Sequence, residues 1–287
     1  MIYNSLPDVD FRKYDRLFTF GCSFTNWKYP TWADIISRNF DIPLQNYGAG
    51  GQGNLYISTL LNQVNLFHNL NQRDLVMIMW ASMHRNDHYN IFPDQESHVQ
   101  VLADFSIRDY NWRIEGDNWK SGSDLVSAEV TEHISYPDAR GFMIRDCALM
   151  DYAFRMCEHA DFDSVHMMAV APHEQAEYDF SAEGFPVQDV LDMYADQIMP
   201  NIAGDVSLCK FLEFDFYPRM TWLEDGELRE DHHPLPSEHI GYLNTLGLTI
   251  DQHTCDWAER ADQKVIHCDN GDPKIDGWRS RSPQYPL

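Results

Sequence analysis

The segment Asp74-Leu-Val-Met-Ile-Met-Trp80 has five consecutive apolar residues between its end positions, and it constrains the fold more than any other stretch. A strand with one face in water alternates apolar and polar residues, whereas a strand covered on both faces reads as a continuous apolar run. Its neighbours in sequence agree. Arg16-Leu-Phe-Thr-Phe20 is a short β-prone run ending at Gly21, and Thr31 to Phe40 places Trp32, Ile35, Ile36 and Phe40 at helical spacing. Pro43 to Tyr47 reads as extended, Gly48 to Gly53 as a glycine-rich loop, and Asn54 to Phe67 as a helix with Leu55, Ile57, Leu60, Leu61 and Val64 on its apolar side. Ser164 to Ala171 and Ser207 to Phe216 are strand candidates; Arg145 to His159, Val187 to Ile198 and Ser237 to Ala261 are helical.

Strands alternating with helices predict an α/β fold with a doubly wound, mainly parallel sheet of five strands. The 287 residues are read as a single domain. Residues 87–140 break the pattern: they are polar, aromatic (Tyr89, Phe92, Tyr110, Trp112, Trp119) and without regular period, and read as an insertion after the third strand.

Charge narrows the partners. The chain has 45 Asp and Glu against 21 Lys and Arg, a formal net charge of -24. Nucleic-acid binding and attraction to anionic membranes both depend on basic surfaces, so neither is expected as the main partner. Met1 to Arg16 contains no apolar run of signal-peptide length and no stretch is long enough to span a bilayer, which predicts a cytoplasmic protein. Six scattered cysteines without a C-x-x-C pair fit reduced thiols better than a disulfide frame or a structural zinc site.

In open α/β sheets ligands collect at the carboxyl ends of the strands, so the loops there carry the chemistry. After the first strand comes Gly21-Cys22-Ser23-Phe24-Thr25, which places a serine hydroxyl at the approach to a helix. Position 25 is not glycine, so the G-x-S-x-G elbow is not met. After the second strand comes Asn46-Tyr-Gly-Ala-Gly-Gly51-Gln-Gly-Asn54, whose main-chain N–H groups suit either a phosphate cradle or an oxyanion hole; a ligand-free turn is the plain alternative. Ahead of the last helix stands Glu230-Asp231-His232-His233-Pro234, with His239 beyond it. A carboxylate beside a histidine can fix the imidazole tautomer and support the imidazolium; the same cluster could instead bind a metal.

Together and in this order, these three pieces resemble the SGNH/GDSL family of esterases and acyl hydrolases, whose fold is flavodoxin-like. Phe20-Gly21-Cys22-Ser23 is similar to its first block, Asn46, Gly51 and Asn54 to its second, and Asp231 with His233-Pro234 and His239 to its last. The third block departs from the family pattern: Trp80-Ala-Ser-Met-His-Arg-Asn-Asp87 lacks the usual glycine and asparagine. The resemblance implies a catalytic Ser23, His233 and Asp231, with Glu230 as the alternative carboxylate. It implies an oxyanion hole from Gly51 with Asn54 or Ser82, and substrate contacts from Arg85 and Asn86. The substrate would be a small ester, the aromatic insertion suggesting a carbohydrate ester, and no metal or organic cofactor is then needed. Two other readings stay open: a metal-dependent phosphoesterase using Asp231, His232 and His233 with His84 or His88, and a non-catalytic binding module.

Overall fold

The computed structural model describes residues 1–83, 86–89, 119–122, 139–171, 188–213, 218–224, 227–268, 271 and 273–278. In chain order the main sheet and its helices are β1 (Ile2–Tyr3), β2 (Arg16–Phe20), α1 (Trp32–Phe40), β3 (Leu44–Asn46), α2 (Asn54–His68) and β4 (Asp74–Trp80). A hairpin pair, β5 (Asn86–Tyr89) and β6 (Trp119–Gly122), precedes α3 (Ala139–His159), β7 (Asp163–Met168), α4 (Gln188–Ile198) and α5 (Leu208–Phe211). The chain then forms β8 (Met220–Glu224), β9 (Glu227–Asp231), α6 (Pro236–Thr245) and α7 (Gln252–Ile266).

Five strands lie in the order β1-β7-β4-β2-β3 and every pairing is parallel. The long apolar run is the central strand: Leu75, Met77 and Met79 enter one core, while Val76, Ile78 and Trp80 enter the other. Helices α2, α3 and α4 cover the second of these faces, and α1, α6 and α7 cover the first. Each buried side chain of this size is worth about 1.5–3 kcal/mol of transfer free energy, and the strand contributes three to each face.

Two expectations change. The described part of Ser207 to Phe216, residues 207–213, holds no strand: the Ser207 side chain accepts the Lys210 N–H and caps α5, so local hydroxyl capping starts a helical turn where a strand is expected. Residues 214–217 of that segment lie outside the described ones. The fifth strand is instead β1, which pairs with β7 through Ile2↔Ser164 and Tyr3↔Val165. Ser237 to Ala261 is two helices, because the chain reverses at Gly247 with φ 83°, where an added Cβ would sit 2.7 Å from Pro7 Cγ.

Wound in this order, β2 and β4 are neighbours, and the next strand of the sheet lies on opposite sides of the pair, β3 beside β2 and β7 beside β4. Their carboxyl ends therefore flank a crevice, bordered by Ser23 after β2 and Ser82 after β4. Of the segment read as an insertion, β5 and β6 pair antiparallel; Tyr110 and Trp112 lie outside the described residues. Among the described residues no helix is long and apolar enough to cross a membrane, and all six cysteines are free thiols.

Candidate active site

The first loop is set by close backbone approach. A Cβ on Gly21 would stand 2.1 Å from Thr25 Oγ1 and 3.0 Å from the Met79 carbonyl oxygen, and one on Gly48 would stand 2.8 Å from Thr25 Cβ and 2.9 Å from the Asn26 nitrogen. Gly48 of the glycine-rich loop thus lets the second loop lie against the first. Hydrogen bonds lock the contact: Asn46 Nδ2 donates to the Thr25 carbonyl (2.7 Å), Asn26 Nδ2 to the Gly48 carbonyl (2.9 Å), and the Ala49 N–H to the Gly21 carbonyl (3.1 Å). Ser23 sits in this frame with 6% of its surface exposed. Gly51, half-buried with φ 74°, lies in the turn just before α2.

Asp231 is the one buried residue of β9. Its Oδ1 accepts both the His233 main-chain N–H (2.9 Å) and the ring Nδ1–H (2.7 Å), and its Oδ2 accepts the Trp27 indole N–H (2.7 Å). Burial opposes ionisation of Asp231, but these three donors and the His233 charge outweigh it, and its pKa is held below the ordinary carboxylate value. An ionised carboxylate accepts only, so the ring proton belongs on Nδ1 and the lone pair on Nε2, the tautomer a general base requires. Tyr29 donates its hydroxyl to the His233 carbonyl at 3.1 Å. Its phenol is kept protonated chiefly by burial, with help from the negative charges of Asp231 and Glu238.

His233 is brought across the chain to the serine loop. Its ring stacks on Trp27 with centroids 3.6 Å apart and meets the edge of Phe24 at 5.5 Å. No direct hydrogen bond joins Ser23 to His233. The carboxylate bonded to His233 is Asp231; Glu230 faces His232 instead, at 3.7 Å.

Asn54 is the correction. Its residue is wholly buried, Oδ1 accepts the Ala81 N–H (2.9 Å), and Nδ2 donates to both the Ala81 carbonyl (3.1 Å) and Asp146 Oδ2 (3.0 Å). Both amide protons are spent, which leaves none for an oxyanion. Asn54 pins Ala81, the first residue after β4, and with it the backbone leading into Ser82. Ser82 borders the crevice almost buried, at 9%. Arg85 and His84 lie outside the described residues, and Asn86 and His88 are placed only as backbone positions in β5. Among the described residues no three His, Cys, Asp or Glu side chains converge as a metal site. His239 is buried in α6, and burial together with the His233 charge drives its pKa down to about 3. The residues that sequence reasoning missed are Trp27, Phe24 and Tyr29; the only signal was their position within a few residues of Ser23.

No family model and no curated protein matches the chain. Solved structures that resemble it include a gut microbial diltiazem-metabolizing enzyme, 13% identical with a TM-score of 0.38, where the match covers 82% of this chain but only 47% of that one. A catalytic mutant of an acetylxylan esterase from Geobacillus stearothermophilus is 12% identical with a TM-score of 0.37, over 87% of this chain and 98% of that one. Likeness at this level transfers no activity, and the functional reading rests on the geometry of the site.

Proposed function

We propose that the chain is a serine-dependent ester hydrolase of the SGNH type that removes a small acyl group, such as acetyl, from a neutral or weakly charged ester. The observation that carries this reading is the Asp231–His233 pair, with Nδ1–H bonded to Oδ1 at 2.7 Å, held against the loop that bears Ser23. In the reaction Ser23 Oγ attacks the acyl carbonyl and His233 Nε2 takes the hydroxyl proton, while Asp231 supports the imidazolium. Hydrogen bonds between nucleophile and base are commonly long in the resting enzyme and tighten once substrate is bound. The main-chain N–H groups of Ser23 and Gly51, with the Ser82 hydroxyl, receive the tetrahedral oxyanion. His233 then returns its proton to the leaving alcohol. Water, activated by the same histidine, releases the acid from the acyl-enzyme.

The net charge of -24 disfavours polyanionic substrates. The test is Ser23→Ala. It is expected to lower hydrolysis of a short-chain chromogenic ester by about a thousandfold or more with the thermal midpoint unchanged. A variant as active as the wild type would reject the mechanism.

A further inference from the structure

Trp27 lies four residues after Ser23 and makes two contacts with the Asp231–His233 pair at once. Its indole N–H donates to Asp231 Oδ2 at 2.7 Å, and its ring lies over the His233 imidazole with centroids 3.6 Å apart and planes 20° from parallel. The side chain is presented by a rigid stretch: the Thr25 carbonyl accepts from Asn46 Nδ2 and Thr31 Oγ1, and Asn26 is tied to Gly48. With Oδ1 taking two N–H groups and Oδ2 the indole, the carboxylate cannot rotate without losing a charge-assisted hydrogen bond.

We propose that Trp27 is a positioning residue for the acid–histidine pair: its N–H fixes the outer oxygen of Asp231 while its ring fixes the plane of the imidazole. The loop that carries the nucleophile thereby sets the orientation of the histidine that serves it. The inference rests on the esterase reading and adds a residue to it. When His233 takes the serine proton, the indole face also receives the new cation, a cation–π contact shielded from water on that side. Other groups around the ring are the Tyr29 hydroxyl on its carbonyl, Phe24 at its edge and buried His239 from α6. Of these, the Tyr29 hydroxyl also bears on the Asp231 carboxylate: beyond burial, the charge and hydrogen bonding of that carboxylate help keep the phenol protonated. Lys28 reaches over the rings of Trp27 and Trp222 at 5.9 and 4.8 Å, on the indole rather than on the imidazole.

Two variants separate the two contacts. Trp27→Phe keeps an aromatic face and removes the donor; Trp27→Leu removes both. With hydrogen bonds to charged groups at their usual strength, kcat is expected to fall about tenfold in Trp27→Phe and about a hundredfold in Trp27→Leu, with KM changed less than about threefold. The second readout is the far-downfield proton resonance of a histidine Nδ1–H bonded to a carboxylate, assigned by its loss in Asp231→Asn. It should shift in Trp27→Phe and disappear in Trp27→Leu, with both proteins shown to be folded by thermal melting. The proposal is overturned if the resonance is unmoved in both variants, or if kcat falls only in proportion to the folded fraction. The resonance is read on the resting protein. A wild type that hydrolyses no ester therefore rejects the esterase reading while the Trp27 result still stands or falls by itself.

Discussion

Asp231→Asn tests the site at its most constrained atom pair. The carboxylate receives three N–H groups on two oxygens, from the His233 main chain, the His233 ring and Trp27. Asparagine has one acceptor oxygen and one donor group in their place. With the amide oxygen toward His233, its NH2 meets the Trp27 N–H; with the amide flipped, it meets two N–H groups of His233. At least one donor near a residue only 3% exposed loses its partner, a cost of about 1–3 kcal/mol in unfolding free energy. The chemical cost is larger. The imidazolium loses its counter-charge and the flipped amide favours the wrong tautomer, and the equivalent change in serine-protease triads costs about 10⁴ in kcat. A fall of about 10³–10⁴ is expected here, with KM nearly unchanged. Because the folded-state pKa of Asp231 is depressed, its stabilisation is complete above the unfolded carboxylate value and is lost as pH falls through the folded one. The variant should lack that acid-side loss. Urea unfolding over pH, with ester hydrolysis at neutral pH, measures both. Activity within about tenfold of wild type would refute the reasoning, because no dyad could then be operating.

Two further outcomes are expected. Asn54→Ala strands the Ala81 N–H and carbonyl in a buried site, so unfolding free energy should drop by about 3 kcal/mol in urea titration; a large loss of kcat at unchanged stability would instead restore Asn54 as an oxyanion donor. His166 is fully buried and hydrogen-bonded to Ser164 at 3.1 Å, with a pKa driven by burial from 6.5 to about 3. Across that window unfolding takes up a proton, so stability falls as pH is lowered, by about 1.4 kcal/mol per pH unit for this group. Asp34 and Asp262, both raised to about 6 by burial, act with the opposite sign: their contribution is present at low pH and lost as pH rises toward 6. His166→Phe removes only the histidine part, so the change of unfolding free energy with rising pH should be lower by about one proton, about 1.4 kcal/mol per pH unit, than in wild type across that window. Equal slopes in the two proteins would contradict the assignment.

Where periodicity is decided by burial on both faces, the sequence was readable. The run from Asp74 to Trp80 is the central strand, and α1, α2, α3 and α4 stand close to where their apolar spacing put them. β1 was invisible because two residues, Ile2 and Tyr3, show no period at all; their strand identity comes from the pairing with Ser164 and Val165. At residues 207–213, read as the start of a strand, Ser207 caps a helical turn instead, a local hydroxyl contact that overrides the β-prone composition. Short motifs point to Ser23, Asp231 and His233 as candidates, and the structure bonds Asp231 to His233 and packs His233 against Phe24 and Trp27 of the Ser23 loop. The hydrogen bonds of Asn54 and Trp27 reach partners 27 and 204 positions away, which no local pattern encodes. The nearness of Asp231 to His233 in sequence is what made that pair legible: two residues apart, they meet through one turn of backbone at the end of β9.

The most direct measurement of the central claim is mass spectrometry of the intact wild-type protein after exposure to a fluorophosphonate probe, followed by peptide mapping. One adduct per chain is expected, on Ser23, formed far more slowly in His233→Gln and absent from Ser23→Ala. No adduct, or an adduct on another residue with Ser23 untouched, would contradict it.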